Sequence, residues 1–180
     1  MRDDIVEVLG EGRFLTLVSE GGWECVVQSF AEGTVSVLPL TDAGEVVLVE
    51  QYRHPVRSRV IEMPAGMVGD SEEHRGEAPE AAVRRELLEE AGYEVGELVH
   101  LGRGPSSAGI TKEILNLYAA TGVKRVAEGG GIGQEEIVVH VVGVAVLDEW
   151  FAAREVEGAM VDVRVHAALR MAAIRGLIRG

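Results

Sequence analysis

The chain has 180 residues, 47% hydrophobic and 26% charged, which suits one domain with a sizeable core and excludes a disordered chain. Its 17 basic and 30 acidic residues leave a formal net charge of −13, which repels phosphate backbones and anionic lipid, so neither nucleic acid nor a membrane is an expected partner. The lone cysteine, Cys25, allows no internal disulfide, and the acidic start MRDDIVEVLG has no apolar signal core, so a cytoplasmic protein is expected.

In chain order, residues 13–29 read as two strands around the turn Glu20-Gly21-Gly22. Residues 34–40 and 45–51 form the next pair, split by Thr41-Asp42-Ala43-Gly44. A short extended stretch, 59–63, precedes Pro64, and a polar loop follows over 66–76. The clearest helix starts near Pro79 and stops at Gly92, proline being favoured in a first turn and glycine just past a helix end. Strands are expected at 97–102, 112–120 and 137–144, with Gly129-Gly130-Gly131 in a loop between the last two. The apolar stretch 137–147 contains His140 and is too short to span a bilayer. A final helix is expected over 161–178, where Val165, Leu169, Ala172 and Ala173 repeat at helical spacing. This order suggests a sheet packed between helices.

The Pro79 helix carries the chemistry. At about 100° per residue, Glu86, Glu89 and Glu90 share one face. Val83, Leu87 and Ala91 form an apolar stripe beside it, and Ala81 and Leu88 extend the side expected to be buried. Like charges one turn apart repel, so the group needs a cation. Arg85 can pair with Glu89, which leaves Glu86 and Glu90 to converge on a metal. Oxygen donors without His or Cys suit Mg²⁺ or Mn²⁺ rather than Zn²⁺. The plainer alternative is a solvated acidic face.

The segment Arg85-Glu86-Leu87-Leu88-Glu89-Glu90-Ala91-Gly92-Tyr93 resembles the core of the Nudix box, R-E-U-x-E-E-x-G-U, with U a bulky apolar residue, and Glu77 lies eight positions before Arg85, as in that box. The box glycine would fall at Ser71. Gly66, in Glu62-Met63-Pro64-Ala65-Gly66, is the better match, which makes the loop to Glu77 five residues longer than the family pattern. Glu62 to Gly66 resembles the E-x-P-A-G segment of the ADP-ribose pyrophosphatase branch. Val47 to Val56 is similar to its V-L-V-E-Q-Y-R-x-P-V run, and Gly22 to Val26 to its first strands. Gly109-Ile110-Thr111-Lys112-Glu113 is similar to its S-P-G-F-x-D-E turn, with Ala108 in place of the proline.

The resemblance implies an α+β Nudix fold, an α/β/α sandwich around a mixed sheet. Residues 1–40 would supply antiparallel strands for dimerisation and base binding, and residues 41–180 the hydrolase domain. It implies Mg²⁺-dependent hydrolysis of a nucleoside diphosphate sugar by a homodimer, with ADP-ribose first among substrates. GDP-mannose, coenzyme A, or binding without cleavage are the alternatives. Glu86 and Glu90 would hold the metal, with the backbone carbonyl of Ala65 completing part of the shell and Glu77 and Glu89 in support, and Arg85 would steady the carboxylates. Glu135, or Glu136 beside it, would be the base that activates water. Arg53 would contact phosphate unless it is an ordinary surface arginine. Trp23 and Glu24 would read the base, unless Trp23 is a core aromatic. Glu62 would touch the sugar or the metal shell, unless it is a strand-end ion pair. A mobile glycine-rich approach, 129–133, would let the Glu135 loop close. His54 and His74 read as surface residues, His140 as a core histidine with a satisfied hydrogen bond. Cys25 has no partner that would make it a nucleophile.

Overall fold

The structure, a computed structural model, describes residues 6–28, 33–69, 71–131, 133 and 136–178. Three strands stand apart from the rest: β1 (Val6–Glu11), β2 (Leu15–Glu20) and β3 (Trp23–Gln28) form an antiparallel sheet in that order. The β2–β3 turn puts Gly21 and Gly22 at φ 59° and 82°, the left-handed pair that a tight hairpin needs and that glycine adopts without strain. The sequence pattern gave no sign of β1, because its side chains are exposed throughout and show no alternation.

The remaining elements surround a mixed eight-stranded sheet. It contains β4 (Gly33–Leu40), β5 (Glu45–Arg53), β6 (Ser58–Glu62), β7 (Ala65–Val68), β9 (Glu97–Pro105), β10 (Ile114–Thr121), β12 (Val138–Gly143) and β13 (Met160–Val161). A two-stranded ribbon pairs β8 (Tyr93–Glu94) with β11 (Lys124–Arg125). The main path runs β13-β6-β5-β4-β10-β9, with β12 on β5 and β7 on β4. β10 runs parallel to β4, and β4 lies within this sheet, so the separate sheet ends before residue 33.

Alternation along the strands divides the core in two. Leu38, Leu48, Ile61 and Leu117 face α2 (Leu147–Val156) and α3 (Val163–Ile174). Val35, Val37, Val47 and Val49 face α1 (Pro79–Glu86), against Ala82, Val83 and Leu87. A sheet with apolar side chains on both faces needs helices on both, which gives the α/β/α sandwich. Among the described residues no helix is long and apolar enough to cross a membrane.

Several expectations are corrected. Strands 34–40 and 45–51 pair only at Leu40–Val46, and then splay apart. The gap is filled by residues 58–68. As β6 they pair with β5; at Pro64, whose carbonyl accepts the Val37 N–H at 2.9 Å, they cross over; as β7 they pair with β4. The start of the expected loop at 66–76 is therefore a strand. Ala81 and Leu88 are exposed, and Ala82 takes the buried place, because the helix is rotated to put Ala82, Val83 and Leu87 on the sheet. The final helix is shorter than expected, starting after the Asp162 cap, whose carboxylate accepts the Arg164 N–H at 2.8 Å. α2 was not expected at all. Only Leu147 and Phe151 of its residues are buried, too few anchors to show a helical period.

Candidate active site

The crossing segment and α1 meet at the splayed edges of β4 and β5, and the box carboxylates converge there. α1 does not end as an α-helix. Leu87–Ala91 form a π-turn, closed by Gly92 at φ 78°. Glu86 and Glu90 are only 8% and 6% exposed, although both are carboxylates. The Ala65 N–H donates to Glu90 Oε2 at 3.0 Å, so it is the amide of that residue that faces Glu90. A Cβ on Gly66 would lie 1.9 Å from Glu86 Oε1, so only glycine leaves room for the carboxylate there.

Arg85 lies at the centre of the cluster. Its guanidinium donates to Glu77 Oε1 at 2.9 Å, Glu86 Oε1 at 2.7 Å and the Met67 carbonyl at 3.1 Å, and more distantly to Glu89 Oε2 at 3.4 Å. The expected pair with Glu89 is thus the longest of its carboxylate contacts. Burial by itself would raise the Glu77 carboxyl, but hydrogen bonds from Arg85 and from the Gly69 N–H hold it below its ordinary value. The surrounding carboxylates push Arg85 further up, against its own burial.

Three carboxylates, Glu77, Glu86 and Glu89, share the Arg85 guanidinium, and Glu90 beside them is held by the Ala65 N–H, a crowding of negative charge that favours a cation. Among the described residues no three His, Cys, Asp or Glu side chains close on one point by themselves. Glu86 and Glu90 are held as a preformed pair on adjacent helical turns. Both offer only oxygen donors, the chemistry that suits a hard divalent cation.

A second ion network adjoins the first. Glu62 is buried three residues before Ala65. It accepts from Arg53 Nε at 2.7 Å and from Arg164 at 3.2 Å, and Arg164 also pairs with Asp162. Arg53 keeps 43% of its side chain exposed while making that bond. Sequence reasoning missed Arg164. The Asp162 cap before Val163 was the available signal. Next to Arg164 a cleft of about 280 Å³ opens between β9, β10 and α3, floored by Gly102 and Gly104 and walled by Leu115, Leu117, Ala167 and Met171.

Trp23 is 64% exposed, not a core residue, and its indole N–H donates to the Gly109 carbonyl at 3.0 Å. The β3 strand docks on the same loop through the Val26 N–H to the Ile110 carbonyl at 2.8 Å, and Glu24 is exposed beside Trp23. Glu135 lies outside the described residues, and Glu136 is exposed. At the start of the glycine run 129–133, the Gly130 and Gly131 N–H groups donate to the Glu90 and Glu89 carbonyls of the π-turn. His140 holds the buried Glu50 carboxylate at 2.8 Å, with Arg59 on its other oxygen, on the face away from α1. His74 contacts Ser71 at 3.0 Å.

The architecture and carboxylate cluster define a sandwich with an acidic site at the splayed strands. A solved structure titled as an ADP compounds hydrolase shares this fold with a TM-score of 0.71 and 19% identity, covering 94% of this chain and 90% of that one. The NUDIX domain family matches residues 32–171, and the chain belongs to that family. Its relatives include the methanol dehydrogenase activator of Bacillus methanolicus, 36% identical over 106 residues, and the ADP-ribose pyrophosphatase of Bacillus subtilis, 33% identical over 106 residues. Each match covers 59% of this chain and 55% of the relative, so the chain spans about half the length of the curated relatives it matches.

Proposed function

We propose that this protein is a Mg²⁺-dependent hydrolase that adds water across the diphosphate of a nucleoside diphosphate sugar, ADP-ribose first, and releases a nucleoside monophosphate and a sugar phosphate. The observation that carries this reading is the buried, oxygen-only pair Glu86 and Glu90, the first packed on Gly66 and the second held by the Ala65 N–H. Bound Mg²⁺ would offset the negative charge that builds on the diphosphate and lower the pKa of the attacking water. Glu86 and Glu90 would hold it, with Ala65 and Glu89 alongside, and Mn²⁺ would substitute. Arg85 fixes the carboxylate directions. Glu135, or Glu136, takes the proton from water. Arg53 and Arg164, anchored on Glu62, present cations to the phosphates in a chain that otherwise repels them. The cleft beside Arg164 gives room for one organic half of the substrate.

Trp23 and Glu24 would read the base, across a homodimer that pairs the N-terminal sheets. Exposed apolar side chains on those sheets, Val6, Val8, Phe14, Leu15 and Leu17, support that pairing. With its single cysteine, the protein is placed in the cytoplasm.

Incubation with ADP-ribose and Mg²⁺ is expected to yield AMP and ribose 5-phosphate. If a panel of nucleoside diphosphate sugars gives no product in Mg²⁺ or Mn²⁺, the reading fails. Trp23→Ala is expected to raise KM about tenfold and to change kcat little, the loss of one stacking contact. A monomer in gel filtration would remove the partner subunit from base recognition.

A further inference from the structure

The last turn of a helix leaves its carbonyls without partners, and here those carbonyls belong to the residues that carry the candidate metal site. They are satisfied by a segment some forty residues further along the chain. The Gly130 N–H donates to the Glu90 carbonyl at 2.8 Å, and the Gly131 N–H to the Glu89 carbonyl at 3.1 Å. The Val126 and Ala127 N–H groups both donate to the Gly92 carbonyl, at 2.8 and 3.0 Å. The two backbones approach so closely that neither tolerates a side chain. A Cβ on Gly129 would lie 2.5 Å from the Ala91 carbonyl carbon and 2.7 Å from the Glu90 oxygen. A Cβ on Gly92 would lie 2.3 Å from the Ala127 oxygen. Both glycines also hold positive φ, 74° and 78°.

The clasp closes on the five residues that are wound as a π-turn. A π-turn rotates each residue less than an α-turn does, so it changes the angle between Glu86, at its start, and Glu90, within it. Isolated π-turns are disfavoured, and the four hydrogen bonds from residues 126–131 supply what holds this one. We propose that the Gly92–Gly129 clasp is a positioning device for the carboxylate pair: it holds the π-turn that sets the Glu86–Glu90 angle, and thereby sets affinity for the divalent cation. The proposal rests on the reading of Glu86 and Glu90 as metal ligands. Gly129 packs on the Glu90–Ala91 backbone and would act through it.

Direct Mn²⁺ binding, followed by the loss of the free-ion electron paramagnetic resonance signal, tests it. Gly129→Ala is expected to weaken binding at least about tenfold, the scale of lost support behind a metal ligand. Gly122→Ala is the control: Gly122 also sits at positive φ, 60°, but a Cβ there meets nothing within 4 Å. It is expected to bind Mn²⁺ as the unmodified chain does. A second measurement needs no substitution. Linkage is reciprocal, so Mn²⁺ must tighten the clasp by the factor by which the clasp tightens Mn²⁺. Amide hydrogen exchange at Gly130 and Gly131 is therefore expected to slow about tenfold or more on adding Mn²⁺. If the unmodified chain binds no Mn²⁺, the metal reading falls and takes the clasp with it. If it binds Mn²⁺ but Gly129→Ala binds equally well, or exchange at the two amides does not change, the clasp proposal alone is overturned.

Discussion

Glu90→Gln is expected to lower kcat on a nucleoside diphosphate sugar by roughly 10³-fold, while the fold survives. Glutamine keeps the shape of the side chain, and its amide oxygen still accepts the Ala65 N–H now bonded at 3.0 Å to Glu90 Oε2. What it loses is the charge. Removing a charged group that supports the metal weakens stabilisation of the charge developing on the diphosphate, a loss on the scale of several kcal/mol of barrier. Losing a buried carboxylate from a cluster with an excess of them should not destabilise the protein. Steady-state rates with saturating Mg²⁺, together with thermal unfolding, check both halves. A rate equal to that of the unmodified chain would refute the assignment of Glu90.

Arg85→Met is expected to cost about 3 kcal/mol of stability at neutral pH and nearly all activity, because it removes the guanidinium that pairs with Glu77, Glu86 and Glu89. The methionine keeps most of the side-chain volume, so the loss reports charge rather than a cavity. The pH dependence follows from Glu77. Its folded carboxyl is held below its ordinary value, so it contributes stability above its unfolded pKa of about 4.3 and loses that contribution as pH falls through the lower folded value. Without Arg85 only the Gly69 N–H remains to hold Glu77 down, so most of that contribution is lost. The gap in stability between the two proteins is therefore expected to be widest near pH 7 and to narrow below about pH 4. Urea unfolding at the two pH values measures it. A gap that stays constant, or widens in acid, rules out this account of Arg85.

Much of the candidate site was legible because it is local. Arg85, Glu86, Glu89 and Glu90 fall within two helical turns, so spacing alone puts them on one face, and Glu77 follows from a fixed offset. Other features depend on residues far apart in sequence. Whether Trp23 was core or surface turned on where β3 docks, and Gly109 is 86 residues away. The Arg53–Glu62–Arg164 network joins two strands to the first turn of α3, 102 residues from Glu62. The run Gly129-Gly130-Gly131 looked like slack chain, since glycine permits both freedom and close approach. Only its contact with Ala91 and Glu90 decides between them.

The sequence by itself determined the chemistry of the acidic helix, the two-faced apolar strands and hence the layered fold, since periodicity and charge spacing are properties of neighbouring residues. Tertiary structure alone decided that 58–68 bridges two splayed strands, that α2 forms on two buried anchors, and that the helix ends in a π-turn. Each of those depends on a hydrogen bond or a contact whose partner lies tens of residues away, and no local pattern encodes where that partner will be.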